Sequence, residues 1–265
     1  MSDPFESGEL PLSLRQDYLR GARESLDALA ALVARLAARG DDVEVLGAIR
    51  REAHKVRGSA GSYGFAEASQ VAAELEEIVK AWLDHPVGSD HAGMRGGVAA
   101  TLVRRLAASL PLEQEAAEAA QSSAAIAGPA TAAEGSRPPA DVPEVILVED
   151  DPALLELMEY GLKTRGYRYV VYRNGREALA ALVALDVASA RPLLLLDVDL
   201  PALDGYSMLD ALQRERPGVF RAVFTTVHGT EEEQLRGLQA GAIDYLVKPI
   251  SLQVALEKIR RWVGR

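Results

Sequence analysis

Four consecutive leucines followed by a carboxylate, at positions 193–197, constrain the fold of this chain more than any other feature. A continuous apolar run of this kind predicts a strand that is covered on both faces, as in a parallel sheet. Open parallel sheets bind their ligands at the carboxyl ends of the strands. Asp197 is therefore predicted to lie at a binding edge.

Three other apolar runs end in polar side chains that suit the same edge. One is followed by Glu149 and Asp150, another ends in Thr226, and a third is followed by Lys248. Converging carboxylates repel one another unless a hard cation lies between them, and oxygen ligands favour Mg²⁺ or Mn²⁺. Because a hydroxyl and a lysine suit phosphoryl oxygens, the edge is predicted to be a metal and phosphate site. A helix cap explains one acid before Pro152, but not the whole set.

Strands and helices alternate from residue 144 onward. This alternation predicts a doubly wound, five-stranded parallel sheet of the flavodoxin-like α/β class. The predicted strands are 144–149, 167–172, 192–197, 219–226 and 243–247, and the predicted helices are 152–165, 175–186, 205–215, 231–240 and 251–263.

The first half of the chain has a helical period instead. Between Leu12 and Leu110, apolar residues recur at intervals of three and four, in four segments with short connections. This pattern predicts an all-α four-helix bundle. The stretch after it is rich in Ala, Ser, Gly and Pro, which is typical of a linker. We therefore divide this multidomain chain into a bundle (1–112), a linker (113–142) and an α/β domain (143–265).

Composition excludes several classes of protein. The net charge of −10 argues against nucleic acid as a partner, because such a partner requires a basic face. The chain has no cysteine, so disulfides and thiolate chemistry are excluded. We find no signal peptide and no apolar run near the ~18–20 residues that a membrane span needs. The expectation is a soluble cytoplasmic protein that does not bind membranes.

The motifs of the second half resemble those of response-regulator receiver domains. The matching segments are 146–152, 196–205, 224–226, 237–245 and 247–249. The resemblance implies that Asp197 is the phosphoacceptor and that Glu149, Asp150 and the main-chain carbonyl of Asp199 complete a Mg²⁺ site. It also implies that Thr226 is the switch hydroxyl, Lys248 the phosphate-contacting lysine and Tyr245 the switch aromatic residue. The alternative register places Thr225 in the role of Thr226. Val227 departs from the family pattern, which has alanine there.

Two further side chains are predicted to tune the lifetime of the phosphoryl group. The carboxylate of Asp199 and the imidazole of His228 are expected to flank the path of an attacking water if the receiver register holds. For His228, an ordinary loop residue is an equally good interpretation.

His54 is the main candidate in the helical half. It lies beside the apolar stripe of its helix, on a face that it shares with Arg57, Gly58 and Gly61. Each glycine costs a helix about 1 kcal/mol relative to alanine. We therefore expect the glycines to leave the imidazole open to a bulky partner. A neutral imidazole is a competent nucleophile for phosphorus near neutral pH.

This segment resembles the histidine phosphotransfer (Hpt) family, whose members fold as four-helix bundles. The matching residues are His54, Arg57, Gly58 and Ser59. The resemblance implies that His54 carries a phosphoryl group and that the neighbouring residues, including Gly61, support it.

Together the two resemblances predict a phosphorelay signalling protein rather than an enzyme acting on a separate substrate. Neither a GxxxxGK[ST] loop nor a GxGxxG run occurs, so the phosphoryl group is expected to come from a sensor histidine kinase, another receiver or another Hpt protein. Two alternatives stay open: the regulatory part of a larger protein whose output enzyme, for example a nucleotide cyclase, is absent, or a receiver adaptor with a vestigial Hpt domain. A receiver-mediated homodimer and the direction of transfer are also open.

Overall fold

The computed structural model describes residues 10–39, 41–85, 92–112, 142–187, 190–227 and 231–264. The chain divides into two compact units at residues 131 and 132. Residues 113–141 of the predicted linker lie outside the described part, so the predicted bounds of the three segments stay a prediction.

The described residues of the first unit form four helices, as the apolar period predicts. They are α1 (Leu12–Ala38), α2 (Val43–Ser62), α3 (Ala66–Asp84) and α4 (Ala92–Ala108). Helix α2 begins after the N-cap Asp42, whose side chain accepts a hydrogen bond from the amide of Val45. Helix α1 contacts α2 and α4, and α3 contacts α2 and α4, so each helix has two neighbours.

An aromatic stack closes the end of the bundle that follows α2. The ring of Tyr18 on α1 lies 4.3 Å from Tyr63 and 5.5 Å from Phe65, both in stacked geometry. Such ring pairs add to the free energy of burial. Because Tyr63 comes directly after α2, the stack holds the end of that helix against α1.

The second unit is a parallel sheet with helices on both faces. Its strands lie in the order β2-β1-β3-β4-β5, and all four pairings are parallel. The elements are β1 (Val145–Val148), α5 (Pro152–Thr164), β2 (Tyr169–Tyr172), α6 (Gly175–Ala184), β3 (Leu193–Asp197), α7 (Gly205–Glu215), β4 (Arg221–Thr226), α8 (Glu231–Gln239), β5 (Asp244–Val247) and α9 (Leu252–Val263). The predicted elements are confirmed, with bounds that differ by at most two residues.

Burial along the strands follows their position in the sheet. Every residue of β1 and β3 is buried, whereas β2, at one edge, is half-buried throughout. Helices α6 and α7 contribute to the core on one face, and α5 packs against α9 on the other. The central strands are therefore covered on both faces, as a run of four leucines requires. Within the described residues, no helix is both long and apolar enough to span a membrane.

Gly96 lies at a close approach of α4 to α1. A β-carbon at this position would lie 2.7 Å from the Cα of Ala37, whereas one at Gly97 would meet nothing within 4 Å. Gly96→Ala should therefore force the two backbones apart and lower the free energy of unfolding by about 1–3 kcal/mol. Gly97→Ala should leave it unchanged or raise it by up to about 1 kcal/mol, because alanine favours helix.

Urea unfolding of the full chain, followed by Trp82 fluorescence in a Trp262→Phe background, measures both effects. Equal stability of the two variants would contradict this account of the α1–α4 contact.

Candidate functional site

Three carboxylates meet at the carboxyl edge of the sheet. Glu149 and Asp150 follow β1, and Asp197 ends the neighbouring strand β3. One ligand oxygen from each lies within 4.8 Å of the other two. Asp151 accepts hydrogen bonds from the amides that begin α5, so the capping interpretation holds for this acid alone.

Lys248 lies among these acids, directly after β5. Its Nζ is 2.8 Å from Glu149 Oε2 and 3.1 Å from Asp197 Oδ1. All three side chains are buried. A buried ammonium between two carboxylates reduces the cost of removing those charges from water.

The titration of the cluster reflects burial and mutual repulsion. Burial, together with the charge of Asp197, raises the pKa of Glu149 well above its usual value, although Lys248 opposes the shift. Burial alone would lower the pKa of Lys248, but the charges of Asp197 and Glu149 raise it above its usual value. The two carboxylates therefore favour the charged form of Lys248. The three carboxyl groups offer clustered oxygen donors that fit a hard divalent cation such as Mg²⁺.

The two threonines at the end of β4 project from opposite faces of the sheet. Thr225 lines a small apolar cavity with Leu147 and Leu195. Its hydroxyl has no hydrogen-bond partner within the described part of the chain. Because side chains alternate along a strand, Thr226 shares the face of Phe224. This placement favours Thr226 over Thr225 as the hydroxyl of the aromatic face.

Tyr245 is buried on that aromatic face. Its ring centroid lies 5.7 Å from that of Phe224, and the Phe224 ring is 4.7 Å from Tyr206. A β-carbon at Gly237 of α8 would fall 1.3 Å from the Tyr245 hydroxyl oxygen. The glycine therefore provides the space that the phenol occupies.

Gly205, to which the sequence motifs assign no role, also shapes the acidic edge. A β-carbon there would lie 2.3 Å from the main-chain oxygen of Asp197, so the start of α7 approaches the end of β3 as closely as a glycine allows.

The side chain of Asp199, after β3, is partly buried. His228 lies outside the described residues.

In the helical unit, His54 is held against α3. Its Nδ1 lies 2.9 Å from Oε1 of Glu76, and Arg57 Nη1 lies 3.0 Å from Oε2 of the same carboxylate. Only 12% of the His54 side chain and 3% of the Glu76 side chain are exposed. Burial alone would raise the pKa of Glu76, but the hydrogen bonds and charges of His54 and Arg57 lower it to about 2.

The expectation that glycines leave the imidazole open was wrong. Nε2 of His54 is buried, and so is Gly58. The reason is that Glu76, 22 residues away in sequence, draws the ring against α3. Ser59 is also buried, and its hydroxyl donates to the carbonyl of Lys55 within α2, whereas Gly61 is partly exposed.

Both halves match known domain families. Residues 13–121 match the model of the Hpt domain, and residues 145–260 match that of the response regulator receiver domain. The chain is an Hpt domain followed by a receiver domain. The two resemblances drawn from the motifs are thereby confirmed.

Curated relatives match the receiver domain. The transcriptional activator protein PfeR of Pseudomonas aeruginosa is 38% identical over 110 residues, which are 42% of this chain and 34% of that protein. The DNA-binding dual master transcriptional regulator RpaA of Synechocystis is 30% identical over 125 residues, 47% of this chain and 50% of that protein. The chain thus spans a third to a half of the length of these relatives.

A CheY-like response regulator receiver domain protein from Methanospirillum hungatei is a similar solved structure. It is 28% identical with a TM-score of 0.41, and the match covers 45% of this chain and 92% of that one.

The acidic edge should bind Mg²⁺. We expect Asp150→Asn to weaken Mg²⁺ binding at least tenfold, because it removes one of three clustered carboxylates. Asp210→Asn, an exposed position on α7 that pairs with Arg214, is the matched control and should bind Mg²⁺ as the unaltered chain does. Isothermal titration of the full chain measures both affinities. Equal affinity in the two variants would show that the ion binds elsewhere.

Proposed function

We propose that this chain is a phosphorelay protein that carries phosphoryl groups on Asp197 of its receiver domain and on His54 of its Hpt domain. The observation that carries the proposal is the buried contact of Lys248 with Asp197 at the acidic edge of the sheet. The Lys248 ammonium lies beside a carboxylate that can act as a nucleophile.

Asp197 would attack the phosphorus atom of a donor. The new bond forms between a carboxylate oxygen and phosphorus, and the electron pair of the broken bond leaves with the donor. Glu149, Asp150, Asp197 and the main-chain carbonyl of Asp199 would hold Mg²⁺, which would neutralise charge on the phosphoryl oxygens. Mn²⁺ fits the same oxygen ligands.

Lys248 and Thr226 would contact the phosphoryl group once it is attached. The ammonium lies 3.1 Å from the oxygen of Asp197, so a small movement exchanges that carboxylate for a phosphoryl oxygen. Thr226 follows Phe224 and Thr225 at the end of β4, on the face that also holds Tyr245. A hydrogen bond from its hydroxyl to the phosphoryl group would therefore couple phosphorylation to the packing of the aromatic rings.

His54 would exchange a phosphoryl group with a receiver aspartate, with Arg57 supplying positive charge beside it. The expected partners are a sensor histidine kinase, another receiver or another Hpt protein. A cytoplasmic location and a receiver-mediated homodimer belong to the same proposal. The linker of about 30 residues spans at most about 100 Å when fully extended, so its length does not exclude exchange within one chain.

The role proposed is that of a signalling protein whose receiver catalyses its own phosphorylation and dephosphorylation. Asp199 and His228 are proposed to tune the lifetime of the aspartyl phosphate. The net charge of −10 supports a chain that does not bind nucleic acid. PfeR and RpaA are named as transcriptional regulators, so that expectation has no support from the relatives and stays a prediction.

Phosphoryl labelling tests the proposal directly. With a small acyl phosphate and Mg²⁺, the chain should gain a base-labile phosphoryl group that Asp197→Asn abolishes and EDTA prevents. With a phosphorylated receiver as donor, it should gain an acid-labile, base-stable group that His54→Gln abolishes. Intact mass after acid and base treatment distinguishes the two linkages. Labelling of Asp197→Asn by the acyl phosphate, or labelling that persists in EDTA, would remove Asp197 as the acceptor.

The two threonines offer a matched pair. Thr226→Val should impair the response to phosphorylation, because it removes the proposed phosphate-contacting hydroxyl, worth about 1 kcal/mol per hydrogen bond. Thr225→Val should leave the response unchanged, because the Thr225 hydroxyl forms no hydrogen bond within the described residues. The measured quantity is the change in Tyr245 NMR signals on phosphorylation. A larger loss in Thr225→Val would shift the register by one residue.

A further inference from the structure

A small cavity lies beneath the acidic edge of the receiver domain, on the face of the sheet that α5 covers. Its volume is about 10 Å³, which is close to the smallest space that holds one water molecule. Most of its lining is apolar and includes Leu154 and Leu155 of α5. Two lining residues, Thr225 and Glu149, carry polar side chains.

Thr225 brings a hydroxyl to this cavity. The residue is 5% exposed, and its Oγ1 has no hydrogen-bond partner within the described part of the chain. A buried hydroxyl without a partner is costly, because it has given up its hydrogen bonds to solvent. The cavity beside it is therefore the place where a partner fits.

Glu149 can supply the second hydrogen bond that a buried water needs. An ionised carboxylate offers about four acceptor positions. Oε1 accepts from the Lys248 ammonium at 3.0 Å and from the Asp151 amide at 3.3 Å, and Oε2 lies 2.8 Å from the same ammonium. These contacts leave one acceptor position on Oε2 for a further donor.

The register of the sheet explains why Thr225 and Glu149 form no direct hydrogen bond. Thr225 on β4 lies beside Asp197 on β3, and Glu149 follows β1 on the other side of β3. Two strand spacings of about 4.8 Å each separate β1 from β4. A water molecule bonded to both side chains bridges about 5–6 Å of this distance, because each hydrogen bond is about 2.8 Å long.

We propose that this cavity binds one buried water molecule, which accepts a hydrogen bond from the Thr225 hydroxyl and donates one to Glu149. The water links the end of β4 to the residue that follows β1. It gives the buried hydroxyl a partner and gives Glu149 a donor from the core side, in addition to Lys248. Because Thr225 and Tyr245 lie on opposite faces of the sheet, the water does not contact the aromatic rings.

The test counts long-lived internal waters in the full chain by ¹⁷O relaxation dispersion. Thr225→Val keeps the shape of the side chain but removes the hydroxyl, whereas Thr225→Ser keeps the hydroxyl. Thr164→Val is the matched control, because that threonine is exposed and donates to the carbonyl of Tyr160 within α5. All samples contain EDTA, so that waters bound to a divalent ion do not contribute.

We expect Thr225→Val to lose one long-lived water relative to the parent chain, and Thr225→Ser and Thr164→Val to keep it. The urea midpoint of Thr225→Val should also fall, because the variant loses the hydrogen bonds that the water makes. In a dry cavity the same substitution would raise the midpoint, because it removes an unpartnered hydroxyl and adds a buried methyl group.

The water count decides between the two cases. An unchanged count in Thr225→Val, or an equal loss in Thr164→Val, overturns the proposal. If the urea curve shows that the valine variant is unfolded, a high-resolution crystal structure of the parent chain takes its place. Density for a water within hydrogen-bond distance of Thr225 Oγ1 and a Glu149 oxygen supports the site, and an empty cavity overturns it.

Discussion

The ammonium of Lys248 makes the receiver site compatible with a folded core. Glu149 and Asp197 are buried acids at adjacent strand ends, and a buried carboxylate without a partner is costly. Lys248 contacts both. Parallel pairing brings β1, β3 and β4 to the same edge, and β5 delivers the lysine there. The same sheet geometry therefore brings together the acids and the lysine that balances their charge. The site would lose its charge balance if the strand order changed.

The Hpt domain also holds a buried acid against partners from a neighbouring element. There the acid, Glu76, is the nearly buried group, and the partners His54 and Arg57 lie closer to the surface. Each domain thus holds its proposed phosphoryl acceptor by a charge on a neighbouring element. In both cases the partner comes from another helix or strand, so tertiary packing and the chemistry of the site depend on each other.

Much of the fold was predictable because it follows local rules. The leucines before Asp197 and the polar residues at other strand ends are visible in sequence, and the strands were located to within two residues. The contacts of His54 were not predictable in this way. Glu76 lies on α3 with Glu74 and Glu77, which are exposed, and the sequence does not show which side chains of α2 it meets. Its role depends on how α2 and α3 pack.

The glycines show the same limit. Gly58 and Gly61 were interpreted as clearance for a partner, since sequence reveals a missing side chain but not what fills the space. In the structure Gly58 is buried within the bundle. At Gly205 the occupant is the backbone oxygen of Asp197, a contact between residues eight positions apart that no helix or strand period encodes.

Gly237 limits which segments can be exchanged between this receiver domain and its relatives in a chimera. The Tyr245 hydroxyl occupies the place that a β-carbon at position 237 of α8 would take. Any residue larger than glycine at 237 is therefore incompatible with this position of the phenol. In a chimera whose α8 comes from a relative with a larger residue here, that residue would occupy the place of the Tyr245 hydroxyl. The tyrosine ring would then have to leave the aromatic cluster. Chimeras of this chain are thus better joined outside the segment from α8 to β5, so that the helix and the ring it accommodates are inherited together.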